Sequence, residues 1–162
     1  MKIKREIARA MLLILIFATL AFIFVQSMLP KEASKAQSDA VGEIIEEIIP
    51  PETPTGQYVQ KNIRKIAHFV EFAVLGAELA LYVAFFMKRR LFIALSYPAA
   101  LLAALFDETV QMFSGRGSAI FDVWIDFFGF FIFASITYAA YFAVFYFYKW
   151  LKGTKFSDGK NN

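Results

Sequence analysis

Residues 91–126 read LFIALSYPAALLAALFDETVQMFSGRGSAIFDVWID, in which a short polar segment separates two apolar stretches. Its apolar character predicts a helix over residues 91–113, and about 20 such residues suffice to cross a bilayer. A loop of five residues, Ser114–Ser118, precedes a second apolar helix predicted over 119–150. A loop this short requires the two helices to pack antiparallel. The second helix is longer than a span needs, so we expect it to tilt or to project from the membrane.

Two further apolar stretches predict membrane helices over residues 7–29 and 64–87. The first follows several Lys and Arg residues, as a secretory signal does, but a signal core is only about 7–15 residues long. Gln-Ser-Met-Leu-Pro follows it where a signal would have a small-residue cleavage site, so we interpret it as a retained span. Residues 88–90 join the second helix to the third. The sequence therefore predicts an all-α integral membrane protein, a single domain over residues 1–162 with four antiparallel transmembrane helices.

The composition agrees with a membrane protein. Hydrophobic residues make up 59% of the chain and the mean hydropathy is +0.53, above the value for average soluble domains. The chain has no cysteine, which excludes disulfides, thiolate nucleophiles and cysteine-ligated metals.

The segment 30–63 predicts a short amphipathic helix in the first outer loop. Isoleucines and a valine recur at helical spacing, with glutamates on the opposite face: Val41, Ile44, Ile45, Ile48 and Ile49 against Glu43, Glu46 and Glu47. We expect this helix to lie on the outer leaflet or to cap the bundle. The proline-rich stretch Pro50–Gly56 predicts a stiff linker after it.

The distribution of Lys and Arg predicts the orientation. Positive residues concentrate in residues 1–9, 88–90 and 149–162, which lie on one side of a four-span protein. The segment 30–63 carries three Lys against six acidic residues. By the positive-inside rule both termini face the cytoplasm. The basic loop 88–90 sets topology in this interpretation, and no nucleic-acid partner is predicted.

Seven polar side chains fall within or beside these apolar spans, and an eighth lies in the loop above them. Helical spacing places those on three helices at one depth, near the outer end of the membrane. Burying charged groups in a bilayer is costly, so such residues mark functional sites by default. They are His68, Glu71, Asp107, Glu108, Gln111, Asp122 and Asp126, with Arg116 in the loop.

The acidic character of this cluster leaves several chemistries open. A proton, an Arg, the His or a cation must compensate the carboxylates, Glu78 included, because they cannot all be charged in a small apolar site. His and carboxylates together can hold a divalent metal or perform acid–base chemistry. Arg116 can grip a phosphate or carboxylate. Polar residues in membrane bundles also serve as interhelical contacts with no further function, and that interpretation stands beside the others.

At these residues the chain resembles the VanZ-like membrane protein family, over about residues 20 to 135. The similar segments are Lys65–Phe72 with Leu75-Gly76, Asp107–Phe113, Gly115-Arg116, and Asp122-Val123 with Asp126 and Gly129; Gln26-Ser27, Ser34 and Ser38 also look like the family. The chain departs from the pattern at Phe72, where tyrosine is expected, at Asp126, where asparagine is common, and at Phe130 and Phe133, where smaller residues are usual. We interpret Ser27, Ser34 and Ser38 themselves as cap or turn residues.

The resemblance implies a bacterial envelope protein and carries no defined reaction, although the family's namesake is linked to low-level teicoplanin resistance. One hypothesis is a protein that handles an anionic lipid or lipid-linked headgroup at the outer leaflet, with membrane lipids and a lipid-linked cell-wall precursor or glycopeptide as partners. The alternative is a membrane enzyme acting on an envelope lipid, with a divalent metal as one candidate cofactor. An ion-coupled transporter is disfavoured, because four spans leave little room for a path. The catalytic candidates are His68, Glu71, Asp107 and Asp122, and the substrate-binding candidates are Arg116, Gln111, Glu108 and Asp126.

Overall fold

The computed structural model describes residues 2–87, 90–115 and 119–158, with side chains described as far as residue 152. Within these ranges the chain is helical and contains no strand. Its helices are α1 Lys2–Met28, α2 Lys31–Glu46, α3 Pro54–Phe86, α4 Arg90–Phe113 and α5 Ile120–Asp158.

Four of these helices are long and apolar enough to cross a membrane: α1, α3, α4 and the Ile120–Lys152 part of α5. The predicted fold class, an all-α membrane bundle with an additional helix in the first long loop, is therefore confirmed. The predicted helices are shorter than the observed ones. The first begins at Lys2 and not at residue 7, and the last continues to Asp158.

The start of α3 corrects the predicted linker. Thr53 caps the helix, because its Oγ1 atom accepts a hydrogen bond from the Gly56 amide at 3.0 Å. Pro54 is the first helical residue, a position that suits proline because its missing N–H has no partner there in any case. The proline-rich stretch is thus a helix start, ten residues before the predicted boundary at 64.

Helix α3 packs against every other helix of the bundle, and its closest approach is to α5. A Cβ atom at Gly76 would lie 2.5 Å from the carbonyl oxygen of Phe130, and one at Gly129 would overlap the carbonyl oxygen of Phe69. The two glycines therefore allow backbone contact between α3 and α5, as small residues do in membrane helix pairs. The buried rings of Phe72 and Phe130 fill the core beside this crossing.

The amphipathic helix α2 packs against the first turns of α3. The Nε2 atom of Gln60 donates to the Gly42 carbonyl oxygen at 3.0 Å and lies 3.1 Å from Glu46 Oε1. Ile44 on α2 is 64% exposed, which leaves an apolar face for a lipid surface. The helix begins ten residues before Val41 and ends at Glu46, so Ile48 and Ile49 lie after it and not within it as predicted. We call this end of the bundle, where α1 and α4 end and α5 begins, the α2 end.

Candidate functional site

The carboxylate of Asp107 lies at the centre of a buried hydrogen-bond chain at the α2 end. Asp107 is completely buried, and Ser27 Oγ donates to its Oδ1 at 2.6 Å. Gln111, one turn further along α4, donates from Nε2 to Oδ2 at 2.7 Å. Arg64 in turn donates from Nη2 to Gln111 Oε1. Three helices, α1, α3 and α4, therefore converge on one carboxylate.

The residue that follows α4, Ser114, also contacts Ser27. Ser114 Oγ hydrogen-bonds the carbonyl oxygen of Ser27 at 2.7 Å and that of Val110 at 2.9 Å. Ser27 is fully buried. The expectation that Ser27 is a simple cap or turn residue is wrong, because its hydroxyl donates its hydrogen bond to Asp107 on another helix.

The Nδ1 atom of His68 lies among three carboxylates. It is 3.6 Å from Glu71 Oε2, 3.8 Å from Asp107 Oδ2 and 4.0 Å from Asp126 Oδ1. The partners come from α3, α4 and α5, so the helix spacing does bring separate spans together at this ring. These distances are longer than hydrogen bonds, so each contact is electrostatic or bridged.

Side-chain oxygens of three buried acidic groups accept no hydrogen bond from any residue within 2–87, 90–115 and 119–152: Asp126 and Glu108 at the α2 end, and Glu78 further along α3. Neither oxygen of Asp126 has such a partner, and that residue is 1% exposed. Glu108 accepts from the Ala119 amide through Oε1 at 2.7 Å, but its Oε2 atom has no donor in the same ranges. Burying a carboxylate without donors or a counter-charge is costly. The α2 end therefore has buried carboxylate oxygens to which no donor among the described residues is bonded.

A cavity of about 210 Å³ opens beside this cluster. One wall is a stripe of α3 residues at helical spacing, Lys61, Arg64, Lys65 and His68. The opposite wall comes from α4 and α5. Lys65 Nζ pairs with Asp122 Oδ1 at 2.9 Å, and the two side chains are 47% and 28% exposed, which places this ion pair at the mouth. The lining residues are Lys61, Asn62, Arg64, Lys65, His68, Gln111, Asp122, Ile125 and Asp126.

A smaller cavity of about 90 Å³ lies on the other side of His68, under α2. Ser34 and Ser38 of α2 line it, together with Glu71 of α3. His68 and Arg64 line both cavities, so they separate the two spaces. Ser38 Oγ donates to the Ser34 carbonyl oxygen at 3.0 Å, as expected for a residue whose hydroxyl serves its own helix.

The predicted site residues divide into three groups. His68, Glu71, Asp107, Gln111 and Asp126 form the buried polar cluster. Asp122 lies at the cavity mouth, and Glu108 caps the start of α5 through the Ala119 amide. Arg116, like Lys88 and Arg89 of the other short loop, lies outside the described residues, so its predicted role stays a prediction.

Glu78 does not belong to the cluster. It lies seven residues beyond Glu71 on α3, about 10 Å along the helix axis. Its Oε1 atom accepts from Thr19 of α1 at 3.1 Å. Glu78 thus has the properties of an interhelical contact, and it offers a matched control for every acidic residue of the site.

Sequence reasoning missed three contributors: Ser27, Arg64 and Lys65. The signal for Arg64 and Lys65 was their position three or four residues from both Lys61 and His68, which places all four on one helix face. For Ser27 the signal was weaker. A serine at the end of an apolar span has no polar neighbour in sequence that would identify its acceptor on another helix.

Four apolar helices around a buried polar cluster define a multi-pass integral membrane protein. The profile of the VanZ/LLP1 family matches residues 10–148, most of the chain. The protein therefore belongs to the VanZ/LLP1 family, as the resemblance implied. No curated protein and no solved structure shows a significant match to it.

Proposed function

We propose that the α2 end faces the outside of the bacterial cell membrane and that its larger cavity binds the anionic headgroup of an envelope lipid. The observation that carries this proposal is the stripe Lys61, Arg64 and Lys65 along one wall of the cavity. Ammonium and guanidinium groups form the strongest hydrogen bonds to phosphate and carboxylate oxygens. The stripe lies on α3 beyond the most apolar part of the span, the level at which headgroups are found.

The cavity also carries groups suited to the rest of a headgroup. Gln111 of α4 and Asp126 of α5 line the opposite wall, and His68 lies one turn beyond Arg64 on the α3 wall. Carboxylates and an amide accept hydrogen bonds from sugar hydroxyls or amines, so a lipid-linked cell-wall precursor fits the same chemistry. Lower susceptibility to teicoplanin would follow if binding reduced access of the drug to such a membrane-anchored target.

Loss of two cations from the wall should release the lipid. We expect the double variant Lys61→Gln, Arg64→Gln to bind about one tenth of the anionic lipid that the wild type binds, or less. The reason is that each charge-assisted hydrogen bond contributes roughly 1.5–3 kcal/mol. The measurement is mass spectrometry of lipids bound to protein purified from membranes. Lys35→Gln is the matched control, since Lys35 is exposed on α2 and lines neither cavity. Equal lipid content in the double variant and the control would contradict the proposal.

The orientation is tested separately. The chain has no native cysteine, so single cysteines can be placed at Thr55 and Lys152, both exposed. We expect Thr55→Cys to react with a membrane-impermeant maleimide on intact cells and Lys152→Cys to react only after permeabilisation. Labelling of Lys152→Cys on intact cells would show that the proposed orientation is wrong and that the cavity faces the cytoplasm.

A second candidate function is an enzyme that acts on an envelope lipid, with or without a metal ion. The observation that favours it is the tight group of His68, Glu71 and Asp107, with His68 Nδ1 within 3.8 Å of both carboxylates. A histidine beside carboxylates can transfer protons in catalysis. Release of a changed lipid during incubation of the reconstituted protein with radiolabelled envelope lipids would favour this function over binding alone.

A further inference from the structure

Three donor atoms on three helices converge at the base of the larger cavity. The donor atoms are a ring nitrogen of His68 and one carboxylate oxygen each of Asp107 and Asp126. All three lie within 4.8 Å of one another. His68 lies on α3, Asp107 on α4 and Asp126 on α5, so the packing of the three helices brings these side chains together. We propose that these residues bind a divalent cation of the first transition series.

The observed distances are close to those of a metal site. In a four-coordinate site with bonds of about 2.1 Å, two donor atoms lie about 3.4 Å apart. His68 Nδ1 lies 3.8 Å from Asp107 Oδ2 and 4.0 Å from Asp126 Oδ1. The excess is about 0.5 Å over the spacing of a metal site, so binding requires His68 and Asp126 to move slightly toward the ion while Asp107 stays in place. Glu71 Oε2 lies 3.6 Å from the same nitrogen but does not belong to the group of three donors.

Asp126 provides an independent indication of a ligand. Its side chain is 1% exposed, and neither carboxylate oxygen accepts a hydrogen bond from the part of the chain that the structure describes. The imidazole of His68 lies beside it, with Nδ1 4.0 Å from Asp126 Oδ1, and offsets the charge only when it is protonated. Buried charges in proteins are paired or coordinate metals. A divalent cation would compensate the carboxylates of Asp107 and Asp126 at once.

Asp107 has the environment of a metal ligand whose orientation is fixed. Its two oxygens accept hydrogen bonds from Ser27 and Gln111, and Gln111 is itself held by Arg64. Such outer hydrogen bonds orient carboxylate ligands and are a regular part of metal sites. A carboxylate oxygen has two lone pairs, so a single hydrogen bond to it does not by itself exclude a bond to a metal.

The donor set selects the class of metal. An imidazole nitrogen with carboxylate oxygens suits Zn²⁺, Mn²⁺ or Fe²⁺, whereas Mg²⁺ and Ca²⁺ prefer oxygen alone. Since His68 and Asp126 both line the cavity of about 210 Å³, the ion has a route from solvent. The inference does not depend on lipid binding, because metal ions alone test it.

The binding test uses the full chain in detergent, freed of metal with a chelator and carrying no histidine tag. Titration with Zn²⁺ and with Mn²⁺, followed by equilibrium dialysis and elemental analysis, should give one high-affinity ion per chain. His68→Gln and Asp126→Asn should each weaken binding at least tenfold, and Glu78→Gln, a buried acid outside the cluster, should leave it unchanged. No bound ion in the wild type, or equal loss in Glu78→Gln, would overturn the proposal.

A spectroscopic test needs no variant. The chain contains a single histidine, so an imidazole signal from a bound ion identifies His68 directly. With Cu²⁺ as the probe, pulsed electron paramagnetic resonance should show modulation from one imidazole nitrogen, and Zn²⁺ should compete it away. A Cu²⁺ spectrum with no imidazole modulation would overturn the assignment, even if a variant failed to fold.

Discussion

Asp107→Asn is expected to reduce activity by about 100-fold while leaving a folded protein in the membrane. Loss of a polar group that only supports a metal or ligand site costs about 10–100-fold, and Asp107 is itself one of the proposed ligands, so we expect the upper end of that range or more. Asparagine keeps the size of aspartate and can still accept from Gln111, and the Ser27 hydroxyl can turn to accept from the new amide. A structural hydrogen bond therefore largely survives, whereas any role that needs the negative charge does not.

The measurement has two readouts, retention of anionic lipid by the purified protein and teicoplanin susceptibility of cells that express it. Membrane expression and the size-exclusion profile report folding. Glu78→Gln is the control, because it removes a buried charge from α3 that bonds Thr19 outside the cluster. Full activity of Asp107→Asn would identify the cluster as an interhelical contact. Loss of membrane expression would mean that Asp107 is primarily structural.

Asp126→Asn is expected to make the metal-free protein more stable, by about 2 kcal/mol or more in the free energy of unfolding. The wild-type carboxylate is buried, and its oxygens accept no hydrogen bond from any described residue; leaving a buried charged group unsatisfied costs roughly 1–3 kcal/mol or more. Asparagine removes the charge at nearly constant volume. A residue kept for function at a cost in stability behaves in this way.

The stability of Asp126→Asn can be followed by denaturant unfolding in detergent in the presence of a chelator. Asp39→Asn on the exposed face of α2 is the control, and substitutions at such positions stay within about 0.5 kcal/mol. A lower stability of Asp126→Asn would show that the carboxylate has a structural partner, against the interpretation as a ligand. A gain in stability would also show that weaker metal binding by this variant is not caused by unfolding.

The sequence was sufficient for the spans and for the common depth of the polar residues. Apolar runs of membrane length define the helices, and short loops make neighbours antiparallel, so positions such as Asp107 and Asp122 on either side of one loop reach the same end of the bundle. Periodicity also placed Gln111 one turn from Asp107, where the structure has their hydrogen bond. These inferences use local geometry only.

The pairing of side chains between helices could not be predicted in the same way. It depends on how each helix is rotated about its own axis, which tertiary packing decides. The Ser27–Asp107 hydrogen bond joins residues 80 apart in sequence, and the Gly76 and Gly129 contacts set the rotation of α3 against α5. The start of α3 was missed for a local reason, because proline is common both in linkers and at the first position of a helix.

Photo-crosslinking in intact cells can show whether the larger cavity holds a ligand there. Ile125 lines the cavity on α5, and Ile132, two turns further along, is 40% exposed on the bundle surface. Each is replaced in turn by a benzophenone amino acid, and intact cells are irradiated before purification and mass spectrometry. We expect position 125 to form an adduct with an anionic lipid or a lipid-linked precursor. Position 132 should form adducts with bulk lipid only. The same bulk-lipid adducts at both positions, or none at 125, would contradict the proposal.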